Sequence, residues 1–228
     1  MADTRSYTSS WLALEQALGA RPVLQGSTLE MRAQFNGLVE ALGPQYPPPS
    51  TAVHATEHDV DGLKLRIYTP ESLASGTSLP VGVFAHAGGL VMGSLDSEDA
   101  LCRDIVENTG GIKVSVDYRL APENKSPAQL EDMLTATVQP TDPNYFIGLD
   151  EDVQNSFLPT YDVKCEFDPL RDNGTVFVRS LRSQGVEIKH DHYSELPHCF
   201  WIFPSLPETK AFLKNLFDGI RWLLTRSK

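Results

Sequence analysis

Basic residues and cysteines are scarce in this sequence, and long apolar runs are missing. Its 228 residues include 19 Lys and Arg against 30 Asp and Glu, a formal net charge of −11. A nucleic-acid binder normally carries a basic face, so no nucleic-acid partner is expected. The same deficit argues against docking on an anionic membrane. No stretch approaches the roughly 18 to 20 apolar residues that span a bilayer. The three cysteines, Cys102, Cys165 and Cys199, show no CxxC spacing. They form neither a disulfide framework nor a zinc site. Met1-Ala2-Asp3-Thr4-Arg5 leads into no apolar signal core, so a reducing, cytoplasmic location is expected. Arg226-Ser227-Lys228 stops one residue short of a Ser-Lys-Leu peroxisomal address and reads better as the charged end of a helix.

What remains is ordinary globular composition, 41% hydrophobic and 21% charged, enough to bury one core. Apolar spacing predicts a helix over 8–19, through Trp11, Leu14 and Leu18 to Gly19. Ser27 and Glu30 form a capping box for a second helix that ends at Gly43. These helices make residues 1–50 an N-terminal helical cap segment, ahead of an α/β domain over 51–228, one structural unit overall. Asp61-Gly62 predicts a type I′ hairpin between strands 52–60 and 63–68. The apolar run Pro80–His86 reads as a buried strand. A helix near 96–109 and a strand over 112–117 follow, which implies a right-handed crossover in a parallel sheet. Further helices are predicted near 126–138, near 171–183 and from Pro207, and strands over 160–167 and 186–193. Residues 139–159 read as loop.

Four motifs carry chemistry. In His86-Ala87-Gly88-Gly89-Leu90, two glycines after a strand let backbone N–H groups converge on a small anion, such as the oxyanion of an ester intermediate. A plain glycine turn is the alternative. Asp117-Tyr118-Arg119-Leu120-Ala121-Pro122-Glu123 reads as structural, its charged groups locking the loop by ion pairs within the motif. Asp168 stands at a strand end entering a helix, where α/β active sites lie. His198 follows the last strand, and an imidazole there acts as general base if a carboxylate orients it. Taken singly, Asp168 reads equally as a helix cap and His198 as a surface residue.

Together these motifs resemble the hormone-sensitive-lipase-like branch of the α/β-hydrolases, over roughly residues 25–138 and 142–226. Within that branch the chain is most similar to fungal esterase-like proteins of secondary-metabolite and toxin pathways. His86-Ala87-Gly88-Gly89 looks like the family's oxyanion loop, with His86, Asp117, Arg119 and Glu123 in structural roles. Asp168 matches the triad acid and His198 the triad histidine. Asp142–Phe146 and Trp201–Pro204 also belong to the pattern. The resemblance implies hydrolysis of small or medium acyl esters, with no cofactor and no metal. The fold it implies is a mostly parallel sheet with flanking helices and an N-terminal helical cap.

The family's nucleophile is missing. The serine belongs in G-x-S-x-G, between Glu123 and Asp168 in triad order. No G-x-S-x-G occurs anywhere in the chain. Ser126 and Ser156 are the only serines in that interval, and neither follows an apolar strand. Ser94 and Ser97 read as helix caps. A βαβ unit takes roughly 30 residues or more, so the interval is too short for the expected elements, and central strands of the sheet are expected to be deleted near residues 138–141. Three readings stay open: an impaired esterase, a non-catalytic pseudo-hydrolase binding an acyl or ester metabolite or a partner, and a truncated or mis-spliced product. His190 and His192 share a strand face and could hold a metal with Asp168 or Asp191, but no third ligand has suitable spacing. The oligomeric state has no signature in the sequence.

Overall fold

The structure, a computed structural model, describes residues 6–72, 79–137 and 158–226. Most of the loop expected over 139–159 lies outside them, as do Ser156, the Asp142–Phe146 run and both chain ends. The chain divides into two compact units, one of residues 23–143 and the other of residues 1–22 with 144–228.

The first unit opens with α2 (Thr28–Leu42); its predecessor α1 (Ser9–Leu18) belongs to the other unit. The Ser27–Glu30 capping box forms in full, so two otherwise orphaned N–H groups are paired. β1 (Val53–Val60) and β2 (Leu63–Pro70) pair antiparallel. Asp61 and Gly62 both adopt positive φ, 54° and 87°, as the type I′ turn requires. β3 (Val81–Ala85), α3 (Asp99–Thr109) and β4 (Ile112–Val116) form the crossover, with β3 and β4 parallel. The sheet order is β1-β2-β4-β3. β2 pairs β4 antiparallel, so this sheet is mixed. One side buries Tyr68, Cys102 and Val106, and the other Leu65, Val116 and Tyr118. α4 (Ala128–Thr137) closes the unit.

β3 departs from the expectation of a buried strand. Among the described residues it is the outermost strand of its sheet, and Val81 is 60% exposed. Among the described residues it hydrogen-bonds to β4 alone. Helix α3 also starts later than expected, because Ser94 and Ser97 hydrogen-bond each other in a turn ahead of it.

In the second unit β5 (Thr160–Phe167) and β6 (Ile188–Pro197) form a parallel two-stranded sheet, joined through α5 (Arg171–Ser183). α6 (Pro207–Leu224) packs on β5, where Gly219 lies so close to the Tyr161 ring that a Cβ would sit 2.2 Å from it. α1 docks here through Trp11, edge-on to Phe203 at 5.6 Å, and through the Thr8 N–H bond to Glu195 O at 3.1 Å. The architecture is α/β with flanking helices, an N-terminal helix before the sheet and a reduced strand number.

Candidate active site

Register brings the acid and the histidine together. Cys165 pairs with Tyr193, but Phe167 pairs with Pro197, so β6 carries two extra residues there. Glu195 takes φ 59° within this bulge, and its N–H donates to Glu166 Oε2 at 2.8 Å. The bulge brings Pro197 level with Phe167. Asp168 and His198 therefore leave adjacent parallel strands side by side, at the end where α/β sites form.

His198 Nδ1 lies 2.6 Å from Asp168 Oδ2. A carboxylate only accepts, so in the neutral ring Nδ1 carries the proton and Nε2 has the lone pair. Asp168 Oδ1 accepts the Leu170 N–H at 2.7 Å, so the residue also shapes the turn into α5. The Asp168 side chain is 14% exposed and that of His198 48%. Behind Asp168, burial and the carboxylate charge push the Cys165 thiol up to about 12, so it stays neutral. Trp201 stands edge-on to His198 at 6.4 Å.

The glycine loop lies in the other unit. His86 is buried and stacks on Tyr118 at 4.1 Å, while the Tyr118 hydroxyl donates to His86 O at 2.9 Å. His86 Nδ1 donates to Ala87 O at 3.0 Å. Burial lowers its pKa below the ordinary 6.5 and keeps the ring neutral. Gly93 packs so tightly on this ring that a Cβ would lie 2.2 Å from Nδ1. Gly88 and Gly89 take φ 130° and 60°. The Gly88 carbonyl accepts from Val91 and Met92, both at 3.2 Å. Among the described residues, the N–H groups of Gly88 and Gly89 donate to no acceptor. Two successive N–H groups without an acceptor are what an anion-binding loop presents.

The 117–123 run is locked by charge, but its partners lie outside the motif. Arg119 reaches α4, with Nε 3.0 and 2.9 Å from the Asp132 oxygens and Nη2 3.1 Å from Glu131. Glu123 pairs with Arg32 of α2 at 2.8 Å. Arg32 also donates to Val91 O at 2.7 Å, which ties α2 to the segment after the glycines. The Asp117 N–H donates to Lys64 O at 3.0 Å. Arg32, Asp132 and Glu98, whose Oε2 accepts the Ala87 N–H at 2.6 Å, were not singled out by sequence reasoning. Nothing in their local spacing marks them, since each acts across a tertiary contact.

An Asp162–His190 pair on β5 and β6 spans 2.7 Å, with Lys164 Nζ 3.5 Å from the same Asp162 oxygen, and the His190 and His192 rings lie 6.5 Å apart. Among the described residues no group of three His, Cys, Asp or Glu side chains could hold a metal ion. Nor is any described helix long and apolar enough to cross a membrane.

A strand–helix–strand crossover, a paired acid and histidine at strand ends and an open glycine loop define the α/β-hydrolase class. A family profile for the alpha/beta hydrolase fold matches residues 82–150. The chain is 32% identical to a versiconal hemiacetal acetate esterase of Dothistroma septosporum over 318 positions, covering 97% of this chain and 96% of that protein. The chain belongs to the α/β-hydrolase family, as a homologue of fungal secondary-metabolite esterases. That alignment is longer than the 228 residues of this chain and reaches nearly all of both proteins, so internal stretches of the relative have no counterpart here. A versiconal hemiacetal acetate esterase of Aspergillus parasiticus is 38% identical over 58% of this chain, which spans 42% of that protein. In fold the chain is similar to a thermostable esterase from Pseudomonas putida, with TM-score 0.79, 17% identity and coverage of 100% of this chain and 99% of that one. An esterase from the archaeon Pyrobaculum calidifontis gives TM-score 0.75 at 22% identity, over 96% and 99% of the two chains.

Proposed function

We propose that this chain is a carboxylic-ester-hydrolase-like protein of fungal secondary metabolism, of the hormone-sensitive-lipase-like branch, whose ester turnover is weak or lost for want of the serine nucleophile. The observation that carries this reading is the 2.6 Å Asp168–His198 contact in a chain without G-x-S-x-G. The acid and base of acyl-ester hydrolysis persist, and the group they would activate has no counterpart at its usual motif.

The roles follow from the chemistry of the groups. Protonated at Nδ1, His198 offers Nε2 as a general base. When it takes a proton, the imidazolium is stabilised by the neighbouring Asp168 carboxylate. Without a serine the proton comes from water, and no acyl-enzyme forms. The reading assigns the developing oxyanion to the N–H groups of Gly88 and Gly89. Serine hydrolases stripped of a triad member keep roughly 10³- to 10⁴-fold catalysis over water, and that level is the ceiling here.

The test is hydrolysis of p-nitrophenyl acetate and butyrate by the full chain. The expected rate exceeds a heat-denatured control at most weakly, and His198→Ala abolishes the excess. A kcat/KM of ordinary esterase size would overturn the impairment and require a replacement nucleophile.

A second reading, a non-catalytic binder of an acyl or ester metabolite, is favoured by the unoccupied N–H pair at Gly88 and Gly89. A ligand-dependent rise in Tm across an acyl-metabolite screen, with no turnover, would support it.

A further inference from the structure

The glycine loop is held at its first peptide by a side chain from further along the chain. Glu98, the residue before α3, accepts the Ala87 N–H on Oε2 at 2.6 Å. Ala87 immediately precedes the two glycines whose N–H groups meet no acceptor among the described residues. The remaining anchors of the loop act on its carbonyls and side chains. His86 O is held by the Tyr118 hydroxyl, Ala87 O by His86 Nδ1, Gly88 O by Val91 and Met92, Leu90 O by the Ala121 N–H at 2.9 Å, and Val91 O by Arg32. Without Glu98, the His86–Ala87 peptide would keep the Tyr118 hydroxyl on its carbonyl but lose the acceptor of its N–H, and the backbone one residue before the Gly88 N–H would be freer to turn.

A carboxylate beside an anion site carries the charge that opposes binding. Burial raises the Glu98 pKa, while the Ala87 N–H and the charge of Lys113 act against that rise. Lys113 on β4 is itself pulled down by burial and supported by Cys102 and Glu98. Its ammonium also lies 4.9 Å from the Phe84 ring centre. The observation that makes Glu98 a tether is its 2.6 Å acceptor contact with the Ala87 N–H.

We infer that Glu98 is a positioning residue: its bond to the Ala87 N–H fixes the direction in which Gly88 and Gly89 present their N–H groups to an anionic oxygen. The inference rests on the anion-binding reading of that loop. It requires no catalysis by this chain.

Charge gives the test a clear sign. Removing a negative group near an anion site should, by Coulomb's law alone, tighten anion binding. Loss of positioning should weaken it. The probe is sodium butyrate, whose carboxylate stands in for an oxyanion, titrated into the isotope-labelled full chain while the Gly88 and Gly89 amide signals are followed. Hydrogen exchange of the Ala87 amide is read in parallel. Glu98→Met keeps the length of the side chain and removes the acceptor, whereas Glu98→Gln keeps an amide oxygen to accept the bond. In Glu98→Met, Ala87 exchange is expected to quicken and butyrate affinity to fall about 5-fold, the usual worth of one net hydrogen bond. Glu98→Gln is expected to retain both within about 2-fold, at unchanged Tm. Should Glu98→Met not fold, Glu98→Ala supplies the same contrast.

Unchanged Ala87 exchange in Glu98→Met would overturn the tether. Equal or tighter butyrate binding in Glu98→Met would show that Glu98 acts through charge, and would overturn the positioning role. If butyrate moves neither glycine in the unsubstituted chain, the anion-binding reading itself fails and takes the inference with it. That failure differs from the other two, because they require binding by the unsubstituted chain.

Discussion

Asp168 holds His198 and its own turn at the same time. Oδ2 meets His198 Nδ1 at 2.6 Å, and Oδ1 accepts the Leu170 N–H at 2.7 Å. The carboxylate is thus fixed where it meets the imidazole, but Asp168 is not the helix cap offered by the sequence, because Leu170 takes that position and no side chain caps the helix. A two-residue bulge in β6 is what makes the meeting geometrically available.

Replacing Asp168 by Asn should reverse the ring's proton. The Asn amide can keep accepting from Leu170 through its oxygen, but its NH₂ then faces His198 Nδ1. The neutral imidazole is expected to change from the Nδ1–H to the Nε2–H tautomer, which removes the base. Nitrogen chemical shifts of His198, read above its pKa, distinguish the two forms. An unchanged tautomer in Asp168→Asn would mean that the carboxylate does not set the ring's state. Any weak p-nitrophenyl ester hydrolysis should fall with the switch, by roughly 10²-fold or to background.

Local rules made much of the chain legible before its structure. The Ser27–Glu30 box, the Asp61-Gly62 turn and Gly19 as a left-handed helix stop depend on contacts within a few residues. Asp168 and His198 were legible because a motif marks each strand end. The burial of β3 was misread because apolar composition does not say which neighbour a strand has. The Arg119 and Glu123 partners were misassigned for a similar reason. Asp132 and Arg32 lie 13 and 91 positions away and meet them only through the fold. Glu98 was invisible, since a carboxylate before a helix reads as a favourable first-turn charge and not as a tether for Ala87.

The glycines of the anion loop should separate by cause. At Gly89 a Cβ meets nothing within 4 Å, so Gly89→Ala pays only for left-handed backbone, about 1–2 kcal/mol. At Gly88 a Cβ would lie 2.1 Å from Met92 O, and at Gly93 2.4 Å from Ala87 O. Backbone atoms cannot swing aside as side-chain ends do, so these two alanine variants should lose more than about 3 kcal/mol or fail to fold. Urea denaturation of the three variants tests the order. Comparable losses at Gly88 and Gly89 would contradict the close packing described for the loop.

His86 should make the fold acid-sensitive. Burial lowers its folded pKa below the ordinary 6.5. Between those two values the unfolded chain binds a proton that the folded chain refuses. Stability must then fall as pH drops through about 6.5, and the loss ends once pH passes below the folded value. His86→Gln should be less stable near neutral pH, having lost the stack on Tyr118, yet should lose less on acidification. The measurement is the urea midpoint of both chains at about pH 7.5 and about pH 5.5. The other histidines are common to both chains, so the difference isolates His86. Parallel pH profiles would assign the acid sensitivity elsewhere.

The outer edge of β3 should govern solubility. Among the described residues the strand pairs on one side only, and its apolar residues run Val81-Gly82-Val83-Phe84-Ala85 with Val81 60% exposed. An open, apolar parallel edge is a template for pairing with another chain, and natural sheets commonly blunt such edges with lysine. The Val81 side chain is already largely in water, so Val81→Lys removes little buried area and should change the urea midpoint only slightly. It should nevertheless lower the concentration dependence of light scattering and raise the soluble yield. A matched lysine at Leu170, another apolar side chain, 59% exposed but off any strand, controls for added charge alone. If both variants improve solubility equally, net charge and not edge pairing limits the chain. If Val81→Lys alone does so, the open edge of β3 is the site of self-association.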